Sequence, residues 1–575
     1  GVLERGPIES FSAQQWDRVL GVNLRGAFLC AREGFRTGAT RIVAIGSISG
    51  TLGTAHGAAY NASKWGLTGL IKSLAEEGRE RGIFCAAVLP GGVATRMLEQ
   101  TPFEPSVRAE EVADRQRRRG VRVNALADEL SALGLQTAAI DPYARDESGC
   151  GEYPPQAAVQ ARTAAEVQKV LAYSRQRRIP VVPRGAGSGK SGGALAERGG
   201  IVLSLEKLDR IIEVSRADMV CVVEPGVILE KLQAAVEAEG LFYPPDPNSQ
   251  AMCSIGGNLA HNAGGPRALK YGVTRDYVLG LRAVLPTGEL IRTGHRSWKG
   301  VAGYDLTQLL VGSEGTLAVI VEATLKLIPL PRSVATLLAF FPDEDKAALA
   351  VQKIFGAGLL PRACELLDGP TMRAVSPRAP FKFPEGVGGA LIVEHDGHGE
   401  GVFDELAKSG ELCTEAGAHE VVAAQDEAQR RRVWETRRMI SVALTAIRPH
   451  KISEDVAVPR GRLIELIGRV RAIGERFGLP TACYGHAGDG NLHVNLLFES
   501  QEERARGHAA VEEVLQAAID LGGTITGEHG VGLAKRAFLA REQSRDVIEL
   551  QRRLKLAFDP DNLLNPGKIL PPPER

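Results

Sequence analysis

A glycine-rich loop between two short apolar runs constrains the fold of this 575-residue chain more than any other feature. The loop, Pro183-Arg-Gly-Ala-Gly-Ser-Gly-Lys-Ser-Gly-Gly193, separates residues 179–183 from residues 201–205, and both runs are typical of buried β-strands. A dinucleotide-binding turn would need a helix after its glycines, and a P-loop would need glycine at position 184, where this chain has arginine. The sequence therefore excludes both motifs. A glycine loop between strands can still present successive N–H groups to an anion.

Charge and cysteine content narrow the class of protein. Lys+Arg and Asp+Glu number 69 each, and a chain without a basic surplus is not expected to bind nucleic acid. The eight cysteines include no Cys-x-x-Cys pair, which disfavours an iron–sulfur cluster, a zinc ribbon or a disulfide scaffold. No apolar run approaches the roughly 20 residues of a transmembrane helix, and no signal peptide opens the chain. We expect a cytoplasmic protein, either free or peripheral at a membrane.

Residues 1–113 alternate helical and short apolar patterns, which predicts part of a doubly wound (Rossmann-like) α/β sheet. In Tyr60-Asn-Ala-Ser-Lys64 the tyrosine and lysine share a helix face, and a lysine cation would lower the pKa of the phenol for acid–base chemistry. With Pro90-Gly-Gly-Val-Ala-Thr95, these residues resemble the short-chain dehydrogenase/reductase family. The family's tetrad is matched by Asn23, Ser47, Tyr60 and Lys64.

The glycine-rich first turn of that family would precede Gly1, which is similar to the last glycine of the family's Asn-Ala-Gly motif. We therefore expect a truncated fragment with a vestigial tetrad that does not bind NAD(P) usefully. An arginine-rich stretch, residues 115–122, follows it and is read as a solvated linker.

Small and polar motifs follow the glycine loop in a fixed order. They are Glu224-Pro-Gly-Val227, Pro244-Pro-Asp-Pro-Asn-Ser249, Ser254-Ile-Gly-Gly-Asn258, His261-Asn-Ala-Gly-Gly265, Tyr304-Asp305 and Gly312-Ser-Glu-Gly-Thr316. Small residues let a flat ring and a pyrophosphate lie against the backbone, and Asn, Ser and Thr supply hydrogen bonds. From about residue 121 to 575, the chain resembles the vanillyl-alcohol oxidase-type flavoproteins. Among them it is most similar to glycolate oxidase FAD subunits, D-lactate dehydrogenases and D-2-hydroxyglutarate dehydrogenases.

The resemblance implies an α+β FAD-binding domain of the vanillyl-alcohol oxidase type and an α+β substrate (cap) domain. The predicted segments are 1–113 (dehydrogenase fragment), 114–150 (linker and N-terminal helical segment), 151–331 (FAD-binding domain), 332–545 (cap domain with a metal site) and 546–575 (return to the FAD domain). FAD is expected to be noncovalent, because no histidine lies in the pyrophosphate loop. The implied cofactor residues are Arg184, Gly185, Ala186, Gly187, Ser188, Gly189, Ser191, Gly192, Pro245, Asp246, Ser249, Ser254, Gly256, Gly257, Asn258, Asn262, Gly264, Gly265, Glu314, Gly315 and Asn565.

Two histidines and a glutamate mark a candidate metal site. His486 and His493 flank Asp489-Gly490, a hairpin signal that would bring the two imidazoles together. Glu528-His529 falls at a predicted strand-to-helix turn, and Asn495 shares a strand face with His493. Two histidines and one carboxylate with open positions are typical of a catalytic divalent metal, and Zn, Mn and Fe all remain open. The resemblance implies the ligands His486, His493 and Glu528, and substrate-side roles for Asn495 and His529.

A 2-hydroxy acid also needs a cation for its carboxylate, preferably a guanidinium. Candidates lie in Trp434-Glu-Thr-Arg-Arg438 and His450-Lys-Ile-Ser-Glu-Asp455. The resemblance to the hydroxyglutarate members implies Arg437 and Lys451. A solvated, charged helix face remains the alternative.

We therefore predict FAD-dependent oxidation of a D-2-hydroxy acid, of the lactate, glycolate or 2-hydroxyglutarate class, to the 2-oxo acid. Arg437 and Lys451 would hold the carboxylate, the metal would lower the pKa of the hydroxyl group, and His529 would act as general base. Since the sequence has no cysteine cluster, electrons are expected to pass to a quinone, a cytochrome or an electron-transfer flavoprotein. A homodimer is compatible with the sequence. The alternatives are NAD(P)-dependent activity of the N-terminal segment and a catalytically silent FAD-binding fusion product.

Overall fold

The computed structural model describes residues 2–47, 53–79, 81–88, 93–94, 107–108 and 126–572. Contacts divide the chain into two compact units, Gly1–Ala125 and Leu126–Arg575. In the described part of the chain, no helix has both the length and the apolar character needed to cross a lipid bilayer.

In the first unit, helices pack against a pair of parallel strands. The helices are α1 (Ala13–Leu20), α2 (Gly26–Arg36) and α3 (Ala58–Arg79), and a π-helical turn (Gly21–Arg25) joins the first two. Strand β1 (Arg41–Ile45) pairs in parallel with β2 (Phe84–Val88), and β3 (Val93–Ala94) with β4 (Val107–Arg108). Leu67 and Ile71 of α3 pack with Phe35 and Cys85 in the core. Helices that alternate with parallel strands agree with the predicted part of a doubly wound sheet.

The second unit begins with a four-stranded mixed sheet, a five-stranded antiparallel sheet and a two-stranded antiparallel pair, preceded by helical residues 126–132. The strands are β5 (Thr137–Ala138), β6 (Ala157–Gln160), β7 (Val181–Arg184), β8 (Ile201–Ser204), β9 (Ile211–Ser215), β10 (Val220–Val223), β11 (Leu241–Phe242), β12 (Val278–Val284), β13 (Leu290–Gly294), β14 (Val319–Lys326) and β15 (Ile328–Pro329). The sheet orders are β5-β6-β8-β7, β13-β12-β14-β10-β9 and β11-β15. The helices are α4 (Ala164–Arg177), α5 (Leu229–Ala238), α6 (Ile255–His261), α7 (Ala268–Tyr271) and α8 (Leu306–Leu310).

The glycine loop connects two neighbouring parallel strands, as the sequence predicts. β7 and β8 pair with Val181 opposite Ile201, and no helix lies between them. The C-terminus returns to the outer edge of β7, where Val181 N–H donates to Leu563 O at 2.8 Å and Asn565 N–H donates to Val181 O at 2.7 Å. The C-terminal segment is thereby tied to β7, the strand that leads into the glycine loop.

The rest of the second unit is built on a seven-stranded antiparallel sheet with the order β19-β16-β18-β17-β21-β22-β20. Its strands are β16 (Ser333–Phe341), β17 (Ala363–Asp368), β18 (Gly389–Gly397), β19 (Glu420–Ala423), β20 (His450–Ala457), β21 (Thr481–His486) and β22 (Asn491–Phe498). The helices are α9 (Glu344–Gly356), α10 (Gly369–Val375), α11 (Gly401–Glu415), α12 (Glu427–Leu444), α13 (Leu463–Phe477), α14 (Gln501–Asp520), α15 (Leu539–Glu542) and α16 (Arg545–Phe558).

Side chains alternate between the two faces of this sheet along each strand. Both faces are buried, because helices pack on each of them. On β16, Leu337 and Phe341 join the core formed with α9, α11, α13 and α14. Leu338 and Phe340 of the same strand point to the opposite face and pack with α10 and α12. A sheet covered on both sides holds β17, β21 and β22 rigidly, and these strands supply the polar side chains described below.

Candidate functional site

A cavity of about 1320 Å³ lies in the second unit. The glycine loop and residues 246–267 line one part of it, and α12, β20, β22 and residues 528–538 line another. The cavity therefore brings together the predicted cofactor motifs and the predicted metal site.

Most of the predicted cofactor residues line this cavity. They are Arg184, Gly185, Ala186, Gly187, Ser188, Gly189, Ser191, Asp246, Ser249, Ser254, Gly256, Gly257, Asn258, Gly264, Glu314 and Gly315. The predicted cofactor residues that do not line the cavity are Gly192, Pro245, Asn262, Gly265 and Asn565. Asn565 Nδ2 donates to Gly193 O at 3.0 Å and to Glu314 O at 2.8 Å, which ties the glycine loop to the C-terminal segment. Gly265 has φ +151°, and a Cβ there would overlap the backbone of Asp246.

Unpaired donors in the cavity wall fit an anionic cofactor. Arg184 Nη1, Ser191 Oγ and Asn258 Nδ2 are buried and have no hydrogen-bond partner among the described residues. The Arg184 guanidinium lies 5.5 Å from the centre of the Tyr143 ring and is 8% exposed. Leaving such groups unpaired costs about 1–3 kcal/mol each, and the phosphate oxygens of FAD would remove that cost. The residues present therefore fit the pyrophosphate that the resemblance implies.

The predicted metal ligands converge in the structure. His486 ends β21 and His493 lies on β22, so the hairpin brings their rings to 5.3 Å at 83°. Glu528 Oε1 lies 3.8 Å from His486 Nε2 and 3.6 Å from His493 Nε2. One ligand atom of each residue lies within 4.8 Å of the others. This spacing fits a divalent cation with open positions.

The predicted strand-to-helix turn at Glu528 is wrong. Thr524 makes a single bridge to Ala457, and no helix begins until Leu539. Glu528 and His529 therefore lie in a long loop, not at a strand-to-helix turn. Long-range contacts shape this loop, so local pattern could not predict it.

The charge states of His493 and Glu528 suit a cation, whereas that of His486 does not. Burial lowers the pKa of His493 to about 3, so this imidazole is neutral. Burial would raise the pKa of Glu528, but His486 and the neighbouring histidines lower it to about 2. Burial would lower the pKa of His486, yet the carboxylates of Glu365 and Glu528 raise it well above its ordinary value. A neutral imidazole and an ionised carboxylate are the forms that bind metal, and His493 and Glu528 are in these forms. His486 would have to give up its Nε2 proton to bind a metal.

Glu365 is a functional residue that the sequence analysis missed. It lies on β17, is fully buried, contacts His486 Nδ1, and accepts a hydrogen bond from Arg437 Nε at 2.6 Å. Because Glu365 contacts Nδ1, the Nε2 atom of His486 is left to face His493 and Glu528. The available signal was a lone acid within the apolar run Ala363-Cys-Glu-Leu-Leu367.

The two predicted carboxylate-binding cations line the cavity. Arg437, on α12, is 7% exposed, and its guanidinium lies 4.7 Å from the centre of the Tyr484 ring. Lys451 Nζ donates to Ser441 Oγ at 2.7 Å, and burial lowers the pKa of this lysine to about 8, helped by Lys190. The burial of Arg437 contradicts the alternative of a solvated helix face.

Of the two remaining predicted residues, His529 lines the cavity and Asn495 does not. The ring of His529 stacks on that of His493 with centres 5.7 Å apart, and His529 lines the cavity. Asn495 is fully buried and its Oδ1 accepts from Ser453 Oγ at 2.6 Å. Asn495 also receives a 3.4 Å contact from Lys451 Nζ, so it supports that lysine from behind the cavity wall.

The dehydrogenase tetrad is partly assembled within the first unit. Asn23 Nδ2 donates to Val2 O at 2.8 Å, and Lys64 Nζ donates to Ile45 O at 3.0 Å. Burial raises the pKa of Tyr60, and a hydrogen bond with Ser47 only partly opposes this. The predicted lowering of that pKa is therefore wrong, because burial is the largest cause of its shift. Of the Pro90–Thr95 motif, all but the backbone of Val93–Ala94 lies outside the described residues.

Comparisons with known proteins decide the family. Residues 155–294 match the family of the FAD binding domain, and residues 330–569 match the C-terminal domain of FAD linked oxidases. The glycolate oxidase subunit GlcD of Bacillus subtilis (strain 168) is 41% identical over 429 residues, which cover 74% of this chain and 91% of that protein. The chain belongs to the FAD-linked oxidases. This FAD-linked oxidase is also 37% identical over 459 residues to a D-lactate dehydrogenase of Archaeoglobus fulgidus, covering 77% of this chain and 98% of that protein.

Solved structures and a third family match confirm the predicted fold class. p-Cresol methylhydroxylase with substrate bound superimposes with a TM-score of 0.60 at 17% identity, covering 79% of this chain and 96% of that one. Alkyldihydroxyacetonephosphate synthase gives a TM-score of 0.58 at 19% identity, covering 72% and 78%. Residues 1–104 match the short chain dehydrogenase family, which confirms the predicted fragment. The FAD-linked oxidase is therefore an FAD-dependent oxidoreductase preceded by part of a dehydrogenase fold.

Proposed function

We propose that this FAD-linked oxidase oxidises a D-2-hydroxy acid to the 2-oxo acid by transferring hydride from the α-carbon to the flavin. The observation that carries the proposal is one cavity whose wall contains the cofactor motifs, the trio His486, His493 and Glu528, and the cations Arg437 and Lys451. Relatives named glycolate oxidase subunit and D-lactate dehydrogenase support the substrate class.

Bound FAD supplies a hydride acceptor, and a divalent metal (Zn, Mn or Fe) on the trio supplies a Lewis acid for the hydroxyl group. Arg437 uses Nε for Glu365, so its Nη1 and Nη2 are the atoms that bind the substrate carboxylate. Lys451 adds a second charge on that side. His529 takes the hydroxyl proton on Nε2, and stacking on His493 keeps its ring in place.

We also propose noncovalent FAD, a cytoplasmic location and an external electron acceptor. All eight cysteines are free and none stands in a cluster pattern, which favours a quinone, a cytochrome or an electron-transfer flavoprotein over an internal iron–sulfur relay.

Anaerobic flavin reduction tests the proposal. The purified protein is mixed with glycolate and with the D- and L-forms of lactate and 2-hydroxyglutarate, and flavin absorbance is followed. We expect one of the D-acids or glycolate to bleach the flavin and to yield one equivalent of 2-oxo acid. A flavin that no acid bleaches would indicate a silent FAD-binding product. NAD(P)-linked turnover that Tyr60→Phe abolishes would indicate activity of the N-terminal unit.

Substrate affinity is expected to fall as the pH rises through about 8, because Lys451, whose pKa is about 8, loses its charge. Below that pH the ammonium binds the carboxylate, and above it kcat/KM should fall by up to about tenfold per pH unit. Lys451→Arg is the matched control, since a guanidinium stays charged throughout this range. If the wild type and Lys451→Arg give the same profile, Lys451 does not bind the carboxylate.

A further inference from the structure

Glu528 and His529 lie in a loop that is held by hydrogen bonds. Six consecutive backbone N–H groups of this loop donate to side-chain oxygens. The N–H groups of Gly527, Glu528 and His529 each donate to Asp455 Oδ2 at 2.9 Å. Gly530 N–H donates to Thr526 Oγ1 at 3.0 Å, Val531 N–H to Glu314 Oε1 at 2.7 Å and Gly532 N–H to Glu314 Oε2 at 2.8 Å. We call residues 526–532 the clamped segment.

Asp455 holds the first half of the clamped segment from the cap sheet. It lies on β20 and is fully buried. Its Oδ1 accepts from Asn491 Nδ2 at 2.7 Å, and its Oδ2 also accepts from Thr526 Oγ1 at 3.0 Å. Lys535 Nζ closes the base of the loop by donating to Asp455 O at 2.8 Å and to Ile525 O at 2.7 Å. Asn491 therefore holds one oxygen of this carboxylate independently of the loop.

Glu314 holds the second half from the FAD-binding part of the chain. It is 5% exposed and has φ +51°, a conformation that costs free energy for a residue with a side chain. Both carboxylate oxygens are occupied by backbone N–H groups of the clamped segment, and its backbone O accepts from Asn565 Nδ2. The Glu314 side chain is therefore directed at the loop, and the hydrogen bond from Asn565 holds its strained backbone.

The glycines of the clamped segment allow the close approach of Asn491, Glu314 and Ser191. A Cβ on Gly527 would overlap Asn491 Nδ2, and one on Gly530 would lie 2.8 Å from Glu314 Oε1. A Cβ on Gly532 would overlap Ser191 O of the glycine loop. Neighbouring atoms approach these three positions so closely that only glycine fits there.

We propose that Asp455 and Glu314 are positioning residues that together fix Glu528 and His529 relative to both the cap sheet and the FAD-binding part. One carboxylate belongs to each part, so the loop cannot move with one part alone. The roles of Glu528 and His529 rest on the proposed function, whereas the clamp itself does not. Glu314, predicted from sequence as a cofactor residue, acts on the loop in this proposal.

Hydrogen–deuterium exchange read by mass spectrometry tests the clamp in the full-length protein. Glu314→Gln replaces one acceptor oxygen by an amide that faces an N–H group, and Asp455→Asn leaves a weaker, uncharged acceptor. We expect peptides covering 526–532 to exchange at least about tenfold faster in both variants. Flavin content should stay at the wild-type level in Glu314→Gln, and the rate of flavin reduction should fall about 10- to 100-fold.

Asp368→Asn is the matched control. Asp368 is a buried carboxylate that accepts the N–H groups of Thr371 at 2.9 Å and Cys483 at 2.7 Å, away from the clamped segment. It should lower stability without changing exchange at 526–532 or the rate of flavin reduction. Gly530→Ala, which displaces Glu314, gives a second perturbation if either charge variant fails to fold.

Two outcomes would overturn the proposal. Unchanged exchange at 526–532 in Glu314→Gln, with or without loss of FAD, would make Glu314 a cofactor or structural residue. Faster exchange with an unchanged rate of flavin reduction would show that the clamp does not position the reacting groups. If no hydroxy acid reduces the wild-type flavin, the proposed function fails, but the exchange rates still decide whether the clamp exists.

Discussion

Replacing His493 with alanine is expected to slow flavin reduction by the 2-hydroxy acid by at least about 10³-fold while FAD stays bound. The change removes one of three ligand atoms that lie within 4.8 Å of each other. A catalytic metal contributes several kcal/mol, and each 1.36 kcal/mol corresponds to a factor of ten in rate. Single-turnover absorbance, metal content by mass spectrometry and flavin content measure the three effects separately.

His419→Ala is the control for this substitution, because His419 is an exposed histidine at the start of the β19 region. It should keep both the metal and the rate. A chelator should reproduce the effect of His493→Ala in the wild type, and added metal should reverse it. A metal-free protein that reduces its flavin at the full rate would disprove the metal site.

Arg437→Met is expected to destabilise the protein and to weaken substrate binding. Arg437 and Glu365 form a buried ion pair at 2.6 Å, with side chains 8% and 0% exposed. Removing one partner of a buried pair costs up to about 3–5 kcal/mol. Here the Glu365 carboxylate would keep only His486 as a charged partner. Loss of the charge-assisted bonds to the substrate carboxylate should raise KM by about 10- to 100-fold. Denaturant unfolding and steady-state kinetics measure the two effects.

The double variant Arg437→Met/Glu365→Gln separates the two causes. It should recover much of the lost stability, because no buried charge is left alone, but KM should stay high. Arg432→Met is the matched control, since Arg432 is an exposed arginine on the same helix that does not line the cavity. An Arg437→Met protein with normal KM would place the substrate carboxylate elsewhere.

Local sequence predicted those parts of the site that short-range geometry builds. The turn at Asp489-Gly490 joins adjacent strands, so the meeting of His486 and His493 followed from the hairpin alone. The glycine loop was placed between two strands for the same reason, because its flanking apolar runs are contiguous with it. Burial, by contrast, is a property of the packed chain, and it overturned the predicted direction of the Tyr60 pKa.

By itself, the sequence predicted the fold class and the FAD motifs through a family resemblance, and the meeting of His486 and His493 through the short spacing of a hairpin. Only the tertiary structure decided what holds them. Glu365 lies 121 residues from His486 and 72 from Arg437, and Glu314 lies 217 residues from Val531. Such partners meet because sheet packing and loop closure bring distant carboxylates into a buried space where they must be paired. No local pattern records that requirement.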